Sequence, residues 1–236
     1  SLAGFLFEKS GRNTIVAGNI GFPFSDYVLD SRSSDVVVLE VSSFQLDHID
    51  TFRPRVSVLL NITPDHLDRY DDFNNYARSK FRVFENQQGD DVLVYNHDDA
   101  LVREHAEEAA RQRNFRIMGF SQQDEVREGA FIRDEIIVLR TNQQEEILMN
   151  VADLSLRGRH NLYNSMAAAI AARAMDIGRV SIRESLSTFE GVPHRLEFVR
   201  EKNGVRFIND SKATNVNAVW YALESFNEPV VLIAGG

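Results

Sequence analysis

The sequence predicts an α/β fold with a mainly parallel sheet flanked by helices, and three observations lead to this prediction. Short runs rich in β-branched residues recur along the chain. The runs at residues 36–41 and 56–62 are almost continuously apolar, which is typical of strands covered on both faces of a parallel sheet. Patterns of helical spacing lie between these runs, and this alternation favours a parallel arrangement of the strands.

The first half of the chain contains most of the predicted alternation. The predicted strands are at residues 14–17, 36–41, 56–62 and 92–95, and the predicted helices are at residues 73–85 and 100–113. The second of these helices follows Asp98 and Asp99, and aspartate is a residue type that caps helix N-termini.

The middle of the chain departs from the alternation. Three apolar runs lie close together with turn-like polar links between them, at residues 130–133, 136–139 and 146–151. We therefore predict a small antiparallel excursion from the parallel sheet. Helices are predicted to resume at residues 161–175, which are rich in alanine, and at residues 182–189.

A domain boundary is predicted where Gly191-Val192-Pro193 breaks the helical pattern. Residues 1–191 would form one domain, and residues 192–236 would begin a second, Rossmann-like α/β domain that is incomplete. Asn203-Gly204 is a dipeptide favoured in tight hairpin turns. The elements predicted for this second part are hairpin strands at 196–202 and 205–210, a helix at 216–225 and a strand at 230–234.

Composition excludes several classes of function. The formal charge of −9 and the pI near 5.2 give no basic surface for nucleic acid or an anionic membrane. The chain has no cysteine, so disulfides and thiolate chemistry are excluded. It has no apolar run of the ~18 residues that span a bilayer, and its first residues lack a secretory signal pattern. We expect a cytoplasmic protein.

Three polar residues follow predicted strands at the edge where open α/β sheets bind their ligands. They are Asn19, Glu40 and His66. Each also has a structural interpretation, as a turn residue, a solvated strand-end charge or part of a capped helix start. The three together favour a site, because the fold brings these strand ends close to one another.

Other candidate residues carry weaker local signals. Lys80 lies on the helix after His66, and a surface lysine is the commonest interpretation. Asn161 and Asn164 share one helical face and have amides suited to an adenine edge, although capping by Asn161 explains the pattern equally well.

The second part of the chain adds Arg195, in the predicted hinge, and a dense polar run at residues 209–215. The arginine guanidinium fits a phosphate or carboxylate group of a ligand, and a structural ion pair is an equally good interpretation. Within the run, Asp210, Lys212 and Thr214 lie between a predicted strand and a predicted helix. A capped helix start explains part of this run but not all of it. No complete P-loop sequence occurs in the chain.

The combination of motifs resembles the Mur ligase family along essentially the whole chain, and its D-glutamate-adding members in particular. The matching stretches are Gly18-Asn19-Ile20-Gly21, Glu40-Val41-Ser42-Ser43-Phe44-Gln45-Leu46, Asn61-Ile62-Thr63-Pro64-Asp65-His66-Leu67-Asp68-Arg69-Tyr70, Lys80, His160-Asn161-x-x-Asn164, Pro193-His194-Arg195 and Asn209-Asp210-Ser211-Lys212-Ala213-Thr214-Asn215.

The resemblance implies an ATP-dependent ligase that adds D-glutamate to UDP-N-acetylmuramoyl-L-alanine in peptidoglycan synthesis. ATP would phosphorylate the substrate carboxylate to an acyl phosphate, which the amine of D-glutamate then attacks. It also implies that Glu40 binds one Mg²⁺ and His66 a second, that Lys80 is carbamylated and helps to hold the second ion, and that the enzyme is a monomer. Asn19 and Ser42 would contact the muramoyl substrate.

The resemblance assigns the remaining residues to ATP and the acceptor. Asn161 and Asn164 would hold the adenine side of ATP, while Arg195 and Asp210 would contact phosphate and ribose. Lys212 and Thr214 would lie near the substrate carboxylate and the incoming glutamate, and Lys212 would take part in catalysis.

The resemblance also implies missing parts. A P-loop would precede Ser1, with residues 1–10 as the helix after it, and most of an amino-acid-binding domain would follow residue 236. We therefore expect little ligase activity and weak ATP affinity from these 236 residues alone. A different ATP-dependent amide ligase, such as a folylpolyglutamate synthase, and a non-catalytic nucleotide-binding module remain open alternatives.

Overall fold

The computed structural model describes residues 1–19, 21–65, 69–214, 216–226 and 228–235, except for the side chain of Asn217. Its strands are β1 (Thr14–Gly18), β2 (Val36–Glu40), β3 (Val56–Leu59), β4 (Gly89–Asn96), β5 (Phe115–Ser121), β6 (Gly129–Arg133), β7 (Ile136–Thr141), β8 (Gln144–Asn150), β9 (Glu197–Lys202) and β10 (Val205–Asn209). Its α-helices are α1 (Leu2–Lys9), α2 (Ser43–Leu46), α3 (Phe73–Phe81), α4 (Ala100–Arg113), α5 (Arg159–Ala174), α6 (Arg179–Thr188) and α7 (Val216–Glu224), with 3₁₀ turns at Phe24–Asp26, Arg82–Phe84 and Val151–Asp153.

The main sheet has six strands in the order β3-β4-β5-β6-β7-β8. The pairs from β3 to β6 are parallel, and the two pairs from β6 to β8 are antiparallel. β1 and β2 form a separate parallel pair, and β9 and β10 form an antiparallel hairpin. The predicted α/β class and the predicted antiparallel excursion are confirmed.

Strand β4 shows why its sequence is continuously apolar. Val92 and Val94 point into one hydrophobic core, with α1, α5 and α6, whereas Leu93 and Tyr95 point into a second core, with α3 and α4. Side chains alternate between the two faces of a strand, so a strand covered on both faces needs apolar residues at every position.

Helix α5 forms the centre of the first core. Every residue from Ser165 to Ala172 is buried, because the helix packs against the sheet and also against α1 and α6. Alanine lets neighbouring elements approach closely, and a helix that is apolar on all sides is typical of a buried position. The middle of α5 is therefore buried, whereas its first turn, before Ser165, is not.

Two predictions about strands are corrected by the structure. β5 was absent from the predicted elements, although it is an inner strand of the main sheet, because Arg116 and Gly119 interrupt its apolar pattern. The predicted strand at residues 230–234 is wrong. Val231 and Ile233 are 90% and 93% exposed, and no neighbouring strand pairs with this segment among the described residues. An apolar run forms a strand only where a partner completes its hydrogen bonds.

Several boundaries match closely. α4 has the predicted bounds, and Asp99 caps it by accepting hydrogen bonds from the N–H groups of Leu101 and Val102. The β9–β10 turn has positive φ at Asn203 and Gly204, as a two-residue hairpin turn requires. Within the described part of the chain, no helix is long and apolar enough to cross a membrane.

Candidate nucleotide and substrate site

Asn19 and Glu40 lie together at the carboxyl ends of β1 and β2. Gly18 pairs with Glu40 in the parallel register, and the Asn19 N–H donates a 2.8 Å hydrogen bond to the Glu40 carbonyl oxygen. Gly18 has φ +118°, and a Cβ at this position would lie 2.2 Å from that oxygen. Glycine is thus required for the close approach that places Asn19 beside Glu40.

Ser42 begins helix α2 two residues after Glu40. Its hydroxyl accepts from the Gln45 N–H, and the Gln45 side-chain oxygen accepts from the Ser42 N–H, which makes a complete capping box. The structure therefore gives Ser42 a structural role at the position where the sequence predicts substrate contact.

Helix α3 is fixed to α2 by side-chain hydrogen bonds. The buried Ser79 hydroxyl donates to the Ser43 carbonyl oxygen at 2.7 Å, and the Tyr70 hydroxyl donates to the Asp47 carboxylate at 2.8 Å. Arg82 donates to two backbone carbonyl oxygens just after α2. These contacts set the position of Lys80 relative to Glu40 and Ser42.

Lys80 is half-buried, whereas the surface interpretation predicts an exposed lysine. Its Nζ lies 5.1 Å from the centroid of the Tyr76 ring. Burial lowers the pKa of Lys80, while the negative charges of Asp65 and Glu40 act in the opposite direction. Burial, with smaller contributions from Asp65 and Tyr70, also raises the pKa of Tyr76 to about 12, so Tyr76 remains a neutral phenol. The first group of the site thus contains an amine whose pKa is lowered by burial and on which the charges of two carboxylates act.

The predicted magnesium ligands are Glu40, His66 and carbamylated Lys80. His66 lies outside the described residues. Among the residues that are described, no cluster of three or more histidine, aspartate or glutamate side chains forms a metal site. The charge of Glu40 acts on the pKa of Lys80, and the role of both residues in metal binding stays a prediction.

A second group forms where the start of α5 meets the segment after α6. His160 is half-buried there. Burial and the charge of Arg195 lower its pKa, and the charge of Asp210 opposes this shift. The Asp210 carboxylate accepts a 3.0 Å hydrogen bond from the Leu196 N–H. The structure therefore brings Arg195 and Asp210 to the start of the helix that carries the two predicted adenine-side asparagines.

Asn161 and Asn164 lie on one face of α5, as predicted. The Asn164 amide is 3.5 Å from the Asn161 side-chain oxygen, and the Asn161 amide donates to the Arg157 carbonyl oxygen at 2.8 Å. The N-cap of the helix is Gly158, so the alternative interpretation of Asn161 as the cap is wrong.

Lys212 and Thr214 belong to the second group. The Lys212 N–H donates to the His194 carbonyl oxygen, and the Thr214 N–H donates to the Lys212 carbonyl oxygen. The Asn209 amide contacts His194 Nδ1 at 2.9 Å and the Glu197 carboxylate at 3.3 Å. The polar run thus binds the segment around Arg195 as well as starting a helix.

Asp65 and His160 were missing from the predicted site residues. Both occur inside the motifs that carried the resemblance, so the motifs contained the signal. The sequence did not reveal that the charge of Asp65 acts on Lys80, or that the charges of Arg195 and Asp210 act on His160, since both effects depend on tertiary packing.

The first group lies at the carboxyl ends of the parallel strands β1 and β2, which is the edge where open α/β proteins bind their ligands, and the second lies at the start of α5. The sequence matches the Mur ligase middle domain over residues 2–172, and the chain belongs to that family.

Two curated relatives with high sequence identity to this chain share one enzyme name. The chain is 61% identical over 242 residues to the UDP-N-acetylmuramoylalanine–D-glutamate ligase of Salinibacter ruber, covering 100% of this chain and 53% of that protein. It is 49% identical to the ligase of the same name from Pelotomaculum thermopropionicum, covering 100% of this chain and 51% of the relative. The chain spans about half the length of the curated relatives it matches.

Solved structures support the fold. A crystal structure of MurF from Acinetobacter baumannii superposes with a TM-score of 0.73 at 20% identity, covering 96% of this chain and 51% of that one. MurF ligase from Thermotoga maritima in complex with ADP gives a TM-score of 0.67 at 18% identity, covering 95% of this chain and 53% of that one. At these identities the likeness shows the shared fold alone.

Proposed function

We propose that this chain is the nucleotide-handling part of an ATP-dependent ligase that joins D-glutamate to UDP-N-acetylmuramoyl-L-alanine in peptidoglycan synthesis in the cytoplasm. Identity of 41–61% to ligases with that name, along the chain, supports the choice of substrates. The observation that carries the chemistry is the environment of Lys80, a half-buried amine whose pKa is lowered by burial and raised by the charges of Asp65 and Glu40.

The environment of Lys80 suits carbamylation. Only a neutral amine attacks CO₂, and burial raises the neutral fraction of Lys80 by lowering its pKa. The reaction forms an N–C bond and releases one proton, and it replaces a cation with an anion. The product then faces the negative charges of Glu40 and Asp65, which makes the modified group unstable unless a cation lies among them.

This set of groups fits magnesium. Oxygen atoms of carboxylates are the protein ligands that Mg²⁺ prefers. Glu40 would hold one ion, and His66 together with carbamylated Lys80 would hold a second. When bound, the ions would supply positive charge that stabilises the transferring phosphoryl group.

The second group is proposed to hold ATP. Asn161 and Asn164 have amides that donate and accept, as needed at an adenine edge. Arg195 presents a guanidinium suited to phosphate, and Asp210 presents a carboxylate suited to ribose hydroxyls. The charges of Arg195 and Asp210 both act on the pKa of His160, which supports one shared site for these residues.

The remaining residues are proposed to act on the carboxylate substrate and the acceptor. Asn19 and Ser42 would contact the muramoyl substrate, and Lys212 and Thr214 would lie near its carboxylate and the amine of D-glutamate. A cation such as Lys212 would stabilise the negative charge that develops as the amine attacks the acyl phosphate. We also propose that residues 1–191 form the ATP-binding domain and that 192–236 belong to the next domain.

The carbamate provides a test that needs only this chain. The protein is equilibrated with ¹³C-bicarbonate at mildly alkaline pH and its ¹³C NMR spectrum is recorded with and without Mg²⁺. We expect a carbamate signal that increases with Mg²⁺ and is absent from Lys80→Ala and Lys80→Arg. Lys80→Arg is the matched control, because it keeps a cation in place but cannot be carbamylated.

Two results would contradict this part of the proposal. A carbamate signal that persists in both variants would place the modification elsewhere. No carbamate signal in the folded, unchanged protein at saturating bicarbonate and Mg²⁺ would mean that Lys80 acts as an ammonium group. The Lys80→Arg variant of the complete ligase should then remain active.

A further inference from the structure

A polar cluster outside the two groups of the site lies at the carboxyl ends of β4 and β5. Its centre is the half-buried carboxylate of Asp98, which accepts three hydrogen bonds. The Ser121 hydroxyl donates at 2.5 Å, the Gln122 N–H at 2.8 Å and the Tyr163 hydroxyl at 2.7 Å. Three donors from two other elements fix the orientation of this carboxylate, since charge-assisted hydrogen bonds are short and strong.

Hydrogen bonds of the residues that end β4 and β5 also hold the cluster in place. The Ser121 side chain is fully buried, and its oxygen accepts from the N–H groups of Gln123 and Asp124 at 3.0 and 2.7 Å. The Asp98 N–H donates to the buried Asn96 side chain at 3.0 Å. Asp98 therefore cannot change its direction without breaking contacts in both loops.

Two contacts connect this cluster to the start of α5. Tyr163 lies on the helix, and the Gln122 amide donates a 2.7 Å hydrogen bond to the carbonyl oxygen of Arg159, the first helical residue. The Tyr163 ring packs 6.0 Å from the ring of Phe120, measured between centroids. Helix α5 begins after Gly158 without a side-chain cap, so contacts from outside the helix hold its first turn.

We propose that Asp98, Gln122 and Tyr163 are positioning residues for ATP, which hold the first turn of α5 so that Asn161 and Asn164 face the adenine. The inference rests on the proposed function of those two asparagines. Tyr163 lies between Asn161 and Asn164 in the sequence, so a change in the orientation of this helical turn moves both side-chain amides. Without these hydrogen bonds, binding of ATP would have to order the first turn of α5. The affinity for ATP would then decrease by the free energy of that ordering.

The test measures the dissociation constant of ATP with excess Mg²⁺, by equilibrium dialysis over ATP concentrations high enough for the weak affinity expected of these 236 residues, and the melting temperature of each variant of the full chain. Tyr163→Phe removes one hydroxyl and keeps the ring packing. Gln122→Ala breaks the contact with Arg159 independently. Arg173→Gln is the matched control, because it breaks a 3.1 Å ion pair with Glu146 at the opposite end of the same helix.

We expect ATP to bind about tenfold more weakly to Tyr163→Phe and Gln122→Ala, which corresponds to ~1.4 kcal/mol. Arg173→Gln should bind ATP as the unchanged protein does, even where its melting temperature falls as much. A loss of stability in Tyr163→Phe and Gln122→Ala with unchanged ATP affinity overturns the inference, because the cluster would then be structural only.

Asn164→Ala separates this inference from the proposed function. Weakened ATP binding in Asn164→Ala, with normal binding in Tyr163→Phe and Gln122→Ala, overturns the positioning role and leaves the proposed function standing. No ATP binding by the unchanged protein, or normal binding by Asn164→Ala, contradicts the proposed nucleotide site, and the positioning role is overturned with it.

Discussion

Replacing Gly18 with alanine tests the geometry that places Asn19 beside Glu40. The added Cβ would lie 2.2 Å from the Glu40 carbonyl oxygen, and this oxygen would have to recede by about 0.8 Å to reach even 3.0 Å. The contact is with backbone, so no side-chain rotation relieves it. The strands must separate at this point, and the hydrogen bond from the Asn19 N–H to the same oxygen is broken.

The expected cost has two parts. Alanine at positive φ costs roughly 1–2 kcal/mol, and the lost hydrogen bond costs about 1 kcal/mol. We therefore expect Gly18→Ala to lower the free energy of unfolding by about 2–3 kcal/mol. Gly21→Ala is the matched control, because Gly21 has φ +83° and no atom within 4 Å of an added Cβ. It should cost only the backbone strain.

Urea denaturation followed by circular dichroism gives the stability of each variant, and hydrogen exchange of the Asn19 amide reports the broken contact. Gly129→Ala provides a second control, since its added Cβ would lie 1.8 Å from the Gly119 carbonyl oxygen, in the main sheet. It should destabilise the protein strongly without selectively exposing the Asn19 amide.

A specific result would refute this reasoning. If Gly18→Ala is as stable as Gly21→Ala and the Asn19 amide stays protected, the close approach of β1 to β2 does not depend on glycine. The position of Asn19 would then need another explanation.

Two further predictions concern the supports of the site. Ser79→Ala removes the buried hydrogen bond to the Ser43 carbonyl oxygen and should cost about 1–3 kcal/mol; urea denaturation measures it, and an unchanged midpoint would contradict a role in fixing α3 to α2. His160 has a pKa below its ordinary value of 6.5, mainly because of burial. The unfolded chain therefore binds the proton more tightly, so the contribution of neutral His160 is present above pH 6.5 and is lost as the pH falls through the folded-state pKa. In a pH series of urea denaturation, His160→Gln should flatten this dependence, and an unaltered slope would show that His160 does not cause it.

The sequence predicted those features that depend on local pattern. Residues 100–113 have helical periodicity with an aspartate cap, and residues 36–39 are continuously apolar, so both elements were predictable. The meeting of Asn19 and Glu40 was predictable as well, because parallel strands end at one edge of a sheet.

Features that depend on packing could not be predicted in the same way. Lys80 looks like a surface lysine in sequence, and only the packing of α3 on α2 shows its burial. Strand β5 contains Arg116 and Gly119, which weaken its pattern, yet hydrogen bonds with β4 and β6 define it. Asp98 was predicted as part of a helix start, whereas its carboxylate accepts hydrogen bonds from Ser121 of β5, 23 positions away, and from Tyr163 of α5, 65 positions away.

Transfer of D-glutamate tests the central claim most directly. Residues 1–236 replace the matching segment of the Salinibacter ruber ligase, to which they are 61% identical, and ATP-dependent transfer of radiolabelled D-glutamate to UDP-N-acetylmuramoyl-L-alanine is measured. We expect the hybrid enzyme to turn over at a rate close to that of the unaltered relative. The hybrid that carries Lys80→Ala should show no turnover, and bicarbonate should not restore it. A folded hybrid that transfers no D-glutamate, or full turnover with Lys80→Ala, would contradict the central claim.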